Sequence, residues 1–207
     1  VRLVNGSSDG PMNRLIRLQH TVGGLAPFEN LVTRLDTSLT ASSYSLHENG
    51  YERRPAEYNA SRSVGNNYKP FVSRAALSTP VRTAACPPTD RPMASLSCAS
   101  PCQSNPWIHH PSHNTHLVDC TLLLSCCCQG GDVDLHVMGH APHGTVSLGP
   151  GRMEFMLHRR AAYQPLRGND ESTAVLSPLW LVLDEPRQAE ALATSWAALL
   201  QAPLTPV

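Results

Sequence analysis

The chain has little charge, few aromatic rings and no excess of either sign. Its 207 residues include 16 Lys and Arg and 16 Asp and Glu, so the net charge is zero with histidine neutral. No basic field suited to nucleic acid is present, and no acidic run suited to a solvating tail. Charged residues make up 15% of the chain, against about 25% in a typical soluble domain. Aromatic residues make up 5%, which weighs against a stand-alone sugar-binding module built on exposed rings. No run of about 18 apolar residues occurs, so no membrane-spanning helix and no membrane partner are expected. The opening VRLVNGSSDG holds neither an initiator methionine nor a basic-then-apolar leader. The expectation is a fragment of a longer protein.

Cysteine is missing from both flanks. All seven cysteines lie between Cys86 and Cys128, and seven of the ten histidines lie between His109 and His143. This composition shift marks off a Cys/His/Pro-rich tract, residues 81–129, from residues 1–80 and 130–207.

The flanks are rich in turn formers and alternating segments. Eighteen prolines and thirteen glycines favour short strands over long helices. In RLIRLQHTV, Ile16, Leu18, His20 and Val22 share one face. In LVTRLDTSL, Leu31, Thr33, Leu35, Thr37 and Leu39 share one face, with Arg34 and Asp36 opposite. Asn49-Gly50 suits a hairpin turn. NNYKPFVSRAAL reads as a further short strand. GRMEFMLHRR places Met153, Phe155 and Leu157 on one side, and PLWLVLD alternates Leu179, Leu181 and Leu183 with Trp180 and Val182. Pro186 suits a first helical turn, and Ala189, Leu192, Trp196 and Leu199 keep helical spacing after it. The pattern predicts an all-β antiparallel sandwich with a short C-terminal helix.

The segments LQHTVGG, LVTRLDTSL, ENGYE, NASRSVGNNYKPFVSR and SLGPGRMEFMLHRR, in that order, resemble the C-terminal β region of class II α-mannosidases (glycoside hydrolase family 38) of the lysosomal type. PLWLVLD resembles the strand that follows. The resemblance covers about residues 15–78 and 130–200. It implies a partial galactose-mutarotase-like sandwich that supports an N-terminal α/β catalytic domain of the same enzyme and borders its cleft. The implied substrates are mannose-containing N-glycans, and the implied location is the lysosome, secretory pathway or vacuole. Family members are retaining glycosidases with a carboxylate nucleophile, a second carboxyl as acid/base, and a zinc ion held by the catalytic domain. Zinc is therefore expected in the full-length enzyme and not on this chain. Asp36, Glu154 and Asp184 sit singly on strands, so no catalytic and no metal-binding residue is assigned.

The resemblance also implies site residues. Arg167 in AAYQPLRGNDE matches the arginine of a cleft-facing loop, although Gln164 and Pro165 stand where the family has acids. An arginine fork there could hold sugar hydroxyls at two points. Tyr68 in NNYKP is a candidate cleft-lining ring or a packing residue. His158, Arg159 and Arg160 are expected to fix the strand end by hydrogen bonds. Asn59-Ala60-Ser61 aligns with the family's glycosylation sequon, and Asn5-Gly6-Ser7 is a second acceptor by pattern.

Tract 81–129 interrupts the family pattern, and joining residue 80 to residue 130 restores it. Val81-Arg82 and LLLSCCCQ are compatible with splice donor and acceptor codons. The tract is expected to be an unstructured insert or translated intron. An alternative is a zinc-binding Cys/His module over 98–128, formed from Cys98, Cys102, His109, His110, His113, His116, Cys120, Cys126, Cys127 and Cys128. Its spacing fits no standard finger.

Overall fold

The computed structural model describes residues 2–5, 15–26, 29–39, 43–79, 94–98, 103–104, 117–126, 132–160 and 173–202. In chain order the strands are β1 (Arg2–Asn5), β2 (Leu15–Val22), β3 (Asn30–Thr37), β4 (Ser43–His47), β5 (Arg53–Pro55), β6 (Lys69–Phe71) and β7 (Arg74–Ser78). They continue with β8 (Ala94–Cys98), β9 (Gln103–Ser104), β10 (Leu117–Cys126), β11 (Asp134–Gly139), β12 (His143–Gly149), β13 (Arg152–Arg159) and β14 (Val175–Asp184). One helix, α1 (Pro186–Gln201), follows directly.

The strands form two sheets. The first has the order β1-β2-β14-β11-β7-β4-β5; the second has the order β6-β12-β13-β3-β10-β8, with β9 against β10. Every pairing is antiparallel except β10 with β3. The all-β sandwich with one short C-terminal helix is the architecture expected from the alternating segments.

Alternation explains the core. Leu18, Leu46, Leu77, Leu135, Leu179 and Leu181 of the first sheet meet Leu35, Phe71, Met153 and Phe155 of the second. Phe71 and Phe155 lie edge to face at 5.5 Å. Both are fully buried, so truncating Phe155 to alanine would cost about 3–5 kcal/mol. A hydrogen bond also crosses the sandwich: Tyr44 Oη donates to Thr145 Oγ1 at 2.9 Å, and Thr145 Oγ1 donates to the Glu154 carbonyl at 2.8 Å.

The outer face of the first sheet is covered by α1. Pro186 opens the helix, where a missing N–H is harmless. The buried stripe is Ala189, Ala193 and Ala197, packed on Leu15, Met138 and Val182, with Leu192, Trp196 and Leu200 alongside. The expected apolar face is thus shifted: Leu199 is 51% exposed. Alanines win the contact because their small side chains let the helix sit close to the sheet.

NNYKPFVSRAAL is two strands rather than one. β6 lies at the edge of the second sheet and β7 in the first, so Val72 and Ser73 carry the chain across the sandwich. Pro70 is accommodated because β6 pairs on one side only. Gly50 has the positive φ of +79° expected at the Asn49-Gly50 turn. Gly151, between β12 and β13, has φ +69°, and a Cβ there would lie 2.5 Å from the Leu39 carbonyl oxygen.

Part of tract 81–129 falls within the described residues. β8, β9 and β10 fall within it, and β10 pairs with β3 from Leu117↔Asn30 to Leu124↔Thr37. β3 has an edge left open on the side away from β13, and the run LVDCTLLLSC supplies a backbone ladder for it. The other residues of the tract lie outside the described residues.

Candidate functional site

Three of the segments that carry the family resemblance converge on one carboxylate. Glu154 in β13 stands directly opposite Arg34 in β3, a register position at which side chains touch across the strands. Arg34 donates through Nε to Glu154 Oε1 at 2.7 Å, and a terminal guanidinium nitrogen donates to the same oxygen. Tyr68 Oη donates to Oε2 at 2.7 Å. Tyr68 follows a 3-10 turn at Val64–Asn67 and lies over Gly144, whose missing side chain leaves room for the ring. Glu154 is 2% exposed, so the arginine and the phenol together offset the cost of burying its charge. On the same strands, Arg152 Nε donates to Asp36 Oδ1 at 2.5 Å. Each carboxylate is tied to its own arginine. Retaining glycoside hydrolysis needs two carboxyls facing a shared gap, and neither Glu154 nor Asp36 is placed for that.

A second polar cluster lies between the first sheet and α1. Arg74 of β7 donates through Nε to His47 Nε2 at 2.8 Å and through Nη1 to Thr194 Oγ1 at 2.7 Å and the Glu190 carbonyl at 3.3 Å. Its Nη2 pairs with Glu190 Oε1. Burial, and then the Arg74 charge, push His47 down to about 4. A neutral His47 is what lets its Nε2 accept the Arg74 proton. Burial alone would raise Glu190, but Arg74 and then His136 hold it below its ordinary value. Nearby, Ser78 Oγ donates to Asp134 Oδ2 at 2.9 Å, and Arg53 donates to Ser45 Oγ and Ser78 Oγ at 2.6 Å each. His136 is fully buried, and neither ring nitrogen has a hydrogen-bond partner. Its Nε2 is 3.8 Å from Asp134 Oδ2 and 3.9 Å from Glu190 Oε2. None of these residues was singled out from the sequence. The available signal was Arg74 itself, an arginine opening the apolar strand RAAL, and the i, i+4 pair Glu190 and Thr194.

Between the sheets, His143 Nδ1 lies 3.2 Å from the Met156 carbonyl and its ring stacks on Phe71 at 5.7 Å. His20 Nδ1 lies 3.0 Å from the Ser177 carbonyl. Burial lowers the pKa of both histidines. Placed inside a closed core, they have no access to a substrate.

The structure places the expected site residues as follows. Tyr68 has its hydroxyl on Glu154. Arg167 lies outside the described residues, as do Gln164 and Pro165. Asn59 is exposed, in the loop before the 3-10 turn, while Asn5 ends β1, its backbone opposite Ile16. Arg160 ties the end of β13 to the β2–β3 connection: its Nη1 donates to the Leu25 carbonyl at 2.7 Å and its backbone N–H to the Glu29 carbonyl at 2.9 Å. In the Cys/His tract, Cys102, His109, His110, His113, His116, Cys127 and Cys128 lie outside the described residues, while Cys98, Cys120 and Cys126 sit on strands.

Among the described residues no group of three His, Cys, Asp or Glu side chains is close enough to hold a metal ion. No helix among them is long and apolar enough to cross a membrane. No family model matches the chain, and no curated protein matches it.

Proposed function

We propose that this chain is part of the C-terminal β-sandwich region of a class II α-mannosidase of the lysosomal type. In that reading the whole enzyme removes terminal α-mannose from N-glycans, and this region supports the catalytic domain and borders its cleft. The carboxylate pair and the zinc belong to the N-terminal α/β domain, and the enzyme works in the lysosome, secretory pathway or vacuole. Arg167 is the residue to which the resemblance assigns a substrate contact. Tyr68 borders the cleft with its hydroxyl held by Glu154.

The observation that carries the reading is the convergence at Glu154. LVTRLDTSL, NNYKP and GRMEFMLHRR are far apart in the chain, yet they supply Arg34, Tyr68 and Glu154 to one hydrogen-bonded group.

Transcript sequencing across and upstream of this coding stretch tests the reading. A continuous frame encoding a zinc-binding α/β domain with two catalytic carboxylates supports it; a transcript whose only frame is this chain overturns it. A second measurement is activity. The isolated chain is expected to leave a chromogenic α-mannoside intact with zinc added, and turnover that copurifies with the folded chain would overturn the reading.

A further inference from the structure

An open polar depression of about 450 Å³ adjoins Asn59, and Tyr58, Arg62, Asn66 and Lys69 line it. Tyr58 is 39% exposed. Among the described residues the side chains of Tyr58, Arg62, Asn66 and Lys69 make no hydrogen bond, while those beneath them are committed. Asn67 accepts from the Asn59 N–H at 2.8 Å and donates to the Asn59 and Ser63 carbonyls at 3.0 and 3.1 Å. Asn67 is 5% exposed, so one amide staples the loop from below and its rim is preorganised. Asn59 is itself polarised. Its Oδ1 accepts from Ser61 N–H at 2.9 Å and Ser61 Oγ at 2.6 Å, which leaves Nδ2 as the unengaged end.

We propose that Asn59 carries an N-linked glycan and that the depression is the seat of its first sugar residues. The inference rests on the secretory part of the functional reading. Attachment joins Asn59 Nδ2 to the anomeric carbon of an oligosaccharide carried on a lipid pyrophosphate. The bond from that carbon to the pyrophosphate oxygen breaks, the pyrophosphate leaves with the electron pair, and Nδ2 gives up one proton. The apolar face of an N-acetylhexosamine packs on the Tyr58 ring, whose amphipathic body suits a half-wet contact. Asn66, Arg62 and Lys69 then meet its hydroxyls and acetamido oxygen. An open, shallow site holds a free sugar poorly, but a sugar tethered beside it is present at an effective concentration on the order of millimolar or above. The glycan is thereby a structural part of the 55–69 loop rather than a solvent-facing appendage.

The test uses the full chain secreted from eukaryotic cells. Release of the Asn59 glycan by an amidase is followed by glycopeptide mass spectrometry on native and denatured samples. Native wild type is expected to release the glycan about tenfold more slowly than denatured protein, equivalent to about 1.4 kcal/mol of seating. Tyr58→Ala and Lys69→Ala should each move the native rate toward the denatured one without changing the melting temperature of the deglycosylated chain. An occupied Asn59 whose native release rate equals the denatured rate overturns the seat and leaves the mannosidase reading standing. Asn59 recovered bare overturns the inference at its first step, whereas the mannosidase reading fails separately, on the transcript.

Discussion

Two arginine–carboxylate clusters flank this sandwich, and they are satisfied to different degrees. Around Glu154 both carboxylate oxygens are taken, by Arg34 and by Tyr68. Under α1, Glu190 is 40% exposed at its side chain, and its Oε2 has an ion pair with Arg53 at 3.5 Å but no hydrogen bond. Asp134 Oδ1 and both nitrogens of His136 likewise make no hydrogen bond. The first cluster joins neighbouring strands of one sheet, where register sets the geometry residue by residue. The second joins a helix to a sheet, where packing of the alanine stripe decides the spacing and the polar groups take what distance remains. A fully satisfied buried network stiffens a fold, and a partly satisfied one is its soft point. On this ground the Glu154 cluster is the stiffer of the two, and the cluster at the helix junction is the one that responds to conditions.

The largest expected contrast comes from removing one carboxylate at a time. Glu154→Ala removes the carboxylate shared by a largely buried guanidinium and a phenol, and should cost about 3–5 kcal/mol. Glu190→Ala leaves Arg74 its bonds to His47, Thr194 and a backbone carbonyl, and should cost about 1–2 kcal/mol. Urea unfolding midpoints with unchanged slopes measure both. Equal costs would abolish the distinction between the clusters.

Acid should act on the helix junction next. His47 is about 4 in the folded chain and 6.5 when free. The unfolded chain therefore binds the extra proton between those values. Stability is full above about 6.5, falls as pH drops, and levels off near 4 for this group. The slope is up to about 1.4 kcal/mol per pH unit. His20 and His143, also lowered by burial, act in the same direction. Glu190, lowered from 4.5, contributes only below its free value, so histidines govern the loss above it. His47→Gln keeps an acceptor for Arg74 and should flatten part of the melting-temperature profile between pH 6.5 and 4.5. An unchanged profile would place the acid response in the core histidines instead.

A smaller effect of opposite sign is expected at His136. Replacing a buried ring that makes no hydrogen bond with an apolar side chain of similar reach, His136→Leu, should be neutral or stabilise by about 1 kcal/mol. A clear loss in thermal stability would show that a buried water completes the cluster. The smallest effect belongs to Leu199→Lys on the solvent face of α1, which should stay within about 0.5 kcal/mol of wild type. A larger loss would mean that this face is covered.

The sandwich was legible because alternation is a local property. β2, β3, β13 and β14 fall where LIRLQHTV, NLVTRLDT, RMEFMLHR and VLSPLWLVLD alternate or run apolar. The alternation of β11 was hidden for the opposite reason. All six of its residues are buried, because it lies inside the first sheet with the second sheet on one side and α1 on the other, so no polar face reports a period. The break at Val72 and Ser73 was invisible since both halves of KPFVSRAAL favour strand.

Sequence by itself determined the class of fold, the turn at Asn49-Gly50, the start of α1 at Pro186 and the acceptor pattern at Asn59, each of which depends on a few adjacent residues. Tertiary structure alone decided that Tyr68 reaches Glu154 across 86 residues of chain and that Arg74 clamps α1 across 120. It also decided that Asn59 stands beside a preorganised depression. Those contacts depend on which strands become neighbours and in what register, and strand pairing is a property of the whole sheet that no local pattern carries.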